Sequence, residues 1–141
     1  MDMLDKLRLK EDEMRHTIYE LNYVKLVELN LIQDNLTIEN EPFMRLHVEK
    51  IGEGEYAMSH TYEQNGDLMR DPEITFKVSM AGKTCYVEAL TYRQDNLCIN
   101  HEVYTYDDSG NRKGVYLKLK KDINAFLGVW LRNLKMQGFR G

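Results

Sequence analysis

Along this chain the spacing of apolar residues changes from roughly 3.6 to two and back again, and those switches predict the elements. Residues 13–32 (EMRHTIYELNYVKLVELNLI) contain no Gly or Pro, and Met14, Ile18, Leu21, Val24, Leu31 and Ile32 recur at helical spacing. A first helix is expected there. Tyr19, Tyr23, Leu26, Val27 and Leu29 widen its apolar stripe almost around the cylinder, so more than one face should be covered, either by a sheet and a second helix or by a partner chain. Asn30 is a suitable stop, because Asn tolerates the left-handed conformation that ends helices.

From Phe43 the period is two: Met44, Leu46 and Val48 alternate with Arg45, His47 and Glu49, as in a half-buried strand. After the turn residues IGEGE, Tyr56, Met58, His60 and Tyr62 share one face of the next strand, opposite Ala57, Ser59, Thr61 and Glu63. Ile74, Phe76 and Val78 then alternate with Glu73, Thr75, Lys77 and Ser79. Ala81 and Gly82 turn the chain into TCYVEALTY, whose partner after RQDN is LCINHEVYTY. DDSGN makes a further turn, and a short strand from Val115 to Leu119 should close the sheet.

The segment between Gln64 and Pro72 pulls two ways. Asn65-Gly66 is a strong two-residue hairpin signal. Strict pairing across it would set Pro72 inside a ladder, which tolerates proline only at an edge or bulge. A long structured loop over these residues is therefore expected. Residues 122–137 then read as a second helix, with Asp122 as N-cap, Ile123, Phe126, Leu127, Trp130, Leu131 and Leu134 as the buried stripe, and Gly138 as the stop. Arg132, Lys135 and Arg140 lie where cations complement the helix dipole. The expected fold is α+β: an antiparallel meander sheet of four to six strands, flanked by an N-terminal and a C-terminal helix.

A length of 141 residues suits one domain over 1–141, of which residues 1–12 need not be ordered. Apolar residues at 43% and charged residues at 30% are ordinary for a globular chain rather than a disordered one. No apolar run nears the roughly 18 residues of a membrane span. The start, MDMLDKLRLKEDEMRH, has no apolar core of the kind a secretory signal needs, so a cytoplasmic location is expected. Pairing 84–92 with 97–105 would hold Cys85 and Cys98 beyond bridging distance, and free thiols follow.

The net charge of −4 is unevenly spread. Residues 1–60 carry 7 Lys/Arg against 13 Asp/Glu, residues 61–109 carry 4 against 9, and residues 110–141 carry 8 against 1. A basic element on an acidic body can face an anionic partner or neutralise its own sheet. Arg112, Lys113, Lys118, Lys120 and Lys121, beside Tyr116, are the residues that could follow a nucleic-acid backbone. The acidic remainder would repel a polyanion everywhere else.

Candidate chemistry is sparse. His60, Asp67, Asp71 and Glu73 could converge near the 64–72 segment, and carboxylates with a His are the raw material of a divalent-metal or acid–base site. Their spacing matches no dedicated ligand pattern, and Glu73 and Lys77 stand four apart where a nuclease strand would want Glu-x-Lys. No residue is assigned a catalytic or metal role, and no cofactor is expected. Tyrosine is abundant at nine residues, with Tyr86, Tyr92, Tyr104, Tyr106 and Tyr116 among those in or beside strands. Such side chains serve either cross-strand packing or a contact surface.

The runs NGDLMRDPEITFKV, EALTYRQDNL, HEVYTYDDSGNRKGV and LKKDINAFLGVWLRNLKMQGF resemble a family of small uncharacterised proteins. That family is encoded on conjugative transposons and phage-like elements of Firmicutes and other gut bacteria. The likeness covers about residues 56–139 and centres on G-D-L-M-x-D-P-E and Y-x-Q-D-N-L. It implies a mobile-element accessory protein in a bacterial cytoplasm and transfers no catalytic residue. The function expected is a non-enzymatic protein-interaction module with an unidentified protein partner or a second copy, through the first helix or a tyrosine-bearing sheet face. The alternatives are a nucleic-acid-binding accessory using the basic set and a metal-dependent hydrolase around residues 60–73.

Overall fold

A computed structural model describes residues 2–3 and 17–141. Apart from residues 2–3, the segment 1–12, which need not be ordered, and the expected helix start at 13–16 lie outside the described residues. Helix α1 is Ile18–Glu28. Its end follows from Asn30, which takes φ 55° and lets Asn30 N–H bond Val27 O and Leu31 N–H bond Leu26 O, both at 3.0 Å. That is a Schellman closure, and its apolar partners Leu26 and Leu31 are both buried.

Six strands follow, β1 (Asn35–Ile38), β2 (Arg45–Gly52), β3 (Glu55–Gln64), β4 (Asp67–Ala81), β5 (Thr84–Gln94) and β6 (Ile99–Glu102). They form one sheet in sequence order with every neighbouring pair antiparallel, as a meander requires. β1, with only four residues, was not foreseen; it pairs with β2 from Asn35↔Glu49 to Ile38↔Leu46.

The expected loop over 64–72 is absent. Asn65 and Gly66 take φ 54° and 84° and close a tight hairpin with Gln64 opposite Asp67. The proline conflict is resolved by a bulge: Ser59 faces Glu73 and Thr61 faces Arg70, so Asp71 and Pro72 together oppose the single residue His60. The missing N–H of Pro72 thus falls where the ladder is already interrupted.

After Glu102 the chain leaves the sheet and forms a separate hairpin of β7 (Tyr104–Tyr106) and β8 (Arg112–Val115). The expected closing strand Val115–Leu119 is therefore corrected. β8 pairs with β7 instead of the main sheet, and Leu117 already begins helix α2, Leu117–Gln137. Asp122 does not cap this helix. The N-cap is Tyr116, which offers no side-chain bond; its N–H is held by Val103 O at 2.8 Å, while its carbonyl accepts the first helical bond from Lys120 N–H at 2.9 Å. At the other end Gly138, at φ 88°, repeats the closure seen in α1, with Phe139 N–H bonded to Leu134 O at 2.9 Å.

Leu46, Val48, Met58, Ile74, Phe76, Val87 and Ala89 fall in register on one face of the sheet and are buried against Leu26, Leu127, Trp130, Leu131 and Leu134 of the helices. Charged and hydroxyl side chains, among them Glu49, Thr75, Lys77 and Arg93, occupy the other face. β6 covers only residues 91–94 of β5. Further back along the same edge, Asn124 of α2 accepts the Ala89 N–H at 2.7 Å and donates to Lys120 O at 2.8 Å, while Asn22 of α1 donates to Asn124 O at 3.0 Å. Two fully buried carboxamides thereby lock both helices to the sheet edge. Both cysteines are free thiols. Among the described residues no helix is long and apolar enough to cross a membrane.

Candidate functional site

Val103 shapes a large concavity of the molecule. It is fully buried, its N–H bonds Leu90 O at 2.9 Å, and its carbonyl takes the Tyr116 N–H. The two ends of the β7–β8 hairpin are thus pinned at one point, and its two strands pair only with each other. Asp107 builds its tip, accepting the N–H groups of Ser109 and Asn111, each at 2.9 Å. Between β6, this hairpin and the first turns of α2 runs an open groove of about 1190 Å³.

One wall is Asn100, His101 and Glu102 of β6. The other carries apolar side chains left in solvent: Val115 is 42% exposed, Tyr106 50%, Tyr116 58% and Leu117 71%. Leu117 falls within the expected closing strand Val115–Leu119, and only its place at the start of α2 makes it a surface residue. Four such side chains around one concavity differ from the isolated exposed leucine that any protein shows.

The hairpin is fastened to the body by charge. Tyr104 is buried and its hydroxyl donates to Glu88 Oε1, which also pairs with Lys120 Nζ at 3.3 Å. The Arg112 guanidinium lies 3.7 Å from the centre of the Tyr104 ring. Burial and the neighbouring Glu88 carboxylate push the Tyr104 phenol up. Burial pulls the Lys120 ammonium down, but its contacts with Tyr104 and Glu88 outweigh that and leave it raised.

The basic set therefore divides. Arg112 and Lys120 are engaged within the chain, whereas Lys113, Lys118 and Lys121 are exposed and form no side-chain ion pair or hydrogen bond among the described residues. The tyrosines divide as well. Tyr86 is half-buried on the open sheet face; Tyr92 is half-buried, donates to Gln94 Oε1 at 3.0 Å and meets Phe126 edge-on at 5.6 Å; Tyr104 is in the core. Of those five, Tyr106 and Tyr116 are exposed, and both line the groove.

The structure distributes the acidic and histidine candidates. His60 is buried on the core face between Trp130, at 5.4 Å, and Phe139, at 5.5 Å. Its Nδ1 lies 3.1 Å from Met44 O and 3.3 Å from Arg45 O; carbonyls only accept, so that nitrogen carries the hydrogen. Burial lowers the His60 pKa against the opposing pull of those carbonyls. Asp67 is exposed at the tip of the β3–β4 hairpin and Asp71 sits in the bulge.

Glu73, on the open sheet face, pairs with Arg70 at 3.1 Å, and burial raises its pKa. Asp95 joins the same network through Arg93 at 2.6 Å and the Arg70 N–H at 2.9 Å. Burial would raise the Asp95 pKa, but those donors together hold it below the ordinary carboxylate value. Among the described residues no group of three or more His, Cys, Asp or Glu is arranged to hold a metal ion.

Set against known proteins, residues 11–140 match the family model described as domain of unknown function (DUF6908). No curated protein matches the chain, and no solved structure does.

Proposed function

The chain belongs to the DUF6908 family, and we propose that it is a non-enzymatic protein-interaction module that receives its partner in the groove beside β6. The observation that carries this reading is the exposure of Val115, Tyr106, Tyr116 and Leu117 around one concavity of about 1190 Å³. Tyrosine and aliphatic side chains around one concavity, with the polar Glu102, Lys118 and Asp122 also lining it, match the composition of protein interfaces. On the resemblance of residues 56–139 to mobile-element proteins, we take the partner to be a bacterial cytoplasmic protein encoded on or met by such an element.

A photo-crosslinking residue at Leu117, compared with one at Lys77 on the open sheet face, tests the proposal in the producing bacterium. A discrete protein adduct at position 117 that is missing at 77 is expected. No adduct at 117, or equal labelling at both positions, would overturn it.

A further inference from the structure

The β7–β8 hairpin is fastened to the body unevenly. Every residue from Tyr106 to Lys118 is exposed, and Thr105 is half-buried. Among the described residues, no hydrogen bond or ion pair joins residues 105–115 to anything outside the hairpin.

Within itself the same hairpin is well tied. Asp107 holds its tip, the Arg112 guanidinium covers the Tyr104 ring at 3.7 Å, and the strands pair from Tyr104↔Val115 to Tyr106↔Arg112. Gly114 lies so close to Thr105 that a Cβ there would meet Thr105 Oγ1 at 3.0 Å. Such a unit moves as one body instead of fraying strand by strand.

Two connections to the rest of the chain remain, and they differ in kind. One is made by backbone at the root: Val103 N–H bonds Leu90 O at 2.9 Å, and Tyr116 N–H bonds Val103 O at 2.8 Å. Leu90 is the residue left over by a bulge in β5, where Thr75 faces Thr91 and Phe76 faces Ala89. Both bonds meet at a single residue, which leaves the hairpin a pivot. The other connection is made by side chains. The Tyr104 ring is buried in the core, its hydroxyl donates to Glu88 Oε1 of β5, and Lys120 Nζ of α2 lies 3.3 Å from the same oxygen.

We infer that the β7–β8 hairpin is a hinged arm, with Val103 as its hinge and the Tyr104–Glu88–Lys120 contact as its latch, and that its swing sets the width of the groove. Parts of a fold with few buried contacts open at a lower free energy than the core. The arm carries Tyr106 and Val115, whereas Leu117 and Leu119 stay with α2, so the apolar lining divides between a moving side and a fixed one. The latch is the weak point, because without Glu88 the closed arm would hold the Tyr104 hydroxyl buried and unmet. The inference goes beyond the interaction reading and does not depend on it, since the arm moves whether or not the groove is filled.

Spin labels on the full chain test it. One pair, at Lys113→Cys and Asn133→Cys, spans arm and body; a second, at Lys83→Cys and Asn133→Cys, lies within the body. All four sites are placed in a Cys85→Ser, Cys98→Ser background. The arm–body pair should show one dominant distance in the parent. In Glu88→Ala a second, open population should grow at least about tenfold, as loss of a hydrogen bond to a charged group requires. Tyr104→Phe keeps the buried ring and removes only the donor, and should shift the distribution the same way. The body pair should not change in either variant.

An unmoved arm–body distribution in both variants overturns the inference. Equal broadening of the body pair overturns it too, because the whole fold would then be loosening. Should Glu88→Ala fail to fold, Tyr104→Phe decides alone. None of these outcomes alters the crosslink at position 117, which tests the interaction reading separately.

Discussion

The Asn124 carboxamide lies where a further strand would otherwise meet β5: it takes the Ala89 N–H, bonds Lys120 O and is fully buried. Asn124→Ala strands a buried backbone donor, so a loss of about 2–3 kcal/mol in urea unfolding is expected. Asn22 is as deeply buried but makes one bond through its amide nitrogen, and its Oδ1 finds no partner among the described residues. Asn22→Ala should therefore cost less than half as much in the same assay. His60 yields a pH signature. Its folded pKa lies below the unfolded value of about 6.5. The unfolded chain then binds a proton that the native one refuses, so stability is full above that pH and falls as pH drops through the window beneath it. His60→Phe should flatten a denaturation-midpoint profile across this window; an unchanged slope would exclude His60 as its source. The period-two pattern already assigns His60 to the Met58 face, yet its role as a packed, carbonyl-bound ring depends on Trp130 and Phe139, about seventy to eighty residues away.

Among elements, both helix ends were legible and the start of α2 was not. Asn30 and Gly138 both adopt the left-handed conformation their residue types favour, a preference local to the backbone. α2 begins at Leu117 because Val103, across the fold, holds the Tyr116 N–H, a cause no cap pattern can display. Asp122→Ala should accordingly change stability by less than about 0.5 kcal/mol, against roughly 1 kcal/mol for a true N-cap. The helix pair offers a second test. A Cβ on Gly128 would meet Asn22 Oδ1 at 3.0 Å and Ile18 Cδ1 at 3.1 Å. Asn22 is tethered to Asn124 and has little room to yield. Gly128→Ala should thus lose about 1 kcal/mol despite alanine's better helix propensity, and should become neutral or stabilising in an Asn22→Ala background.

For the molecule as a whole, the C-terminal segment closes the core. Phe139 is buried against His60 and Phe43, and Gly141 N–H reaches Leu29 O at 2.8 Å, tying the chain's end to the end of α1. Phe139→Ala should cost about 3–5 kcal/mol by calorimetry or denaturant, as a large side chain removed from a packed core does. α1 is less fully covered than its neighbours: Leu26 is buried, while Leu21, Val24 and Val27 face outward. Its broad apolar stripe, read from the sequence, thus divides between the core and the surface. The amino-acid sequence by itself determined the α+β class, the meander and the closing residues of both helices, because periodicity, turn chemistry and left-handed propensity act between near neighbours. Only the tertiary structure decided the bulge that admits Pro72, the departure of β7–β8 from the sheet and the groove they create. Each of those depends on which distant strand edge or carbonyl is within reach, and short-range pattern carries no record of that distance.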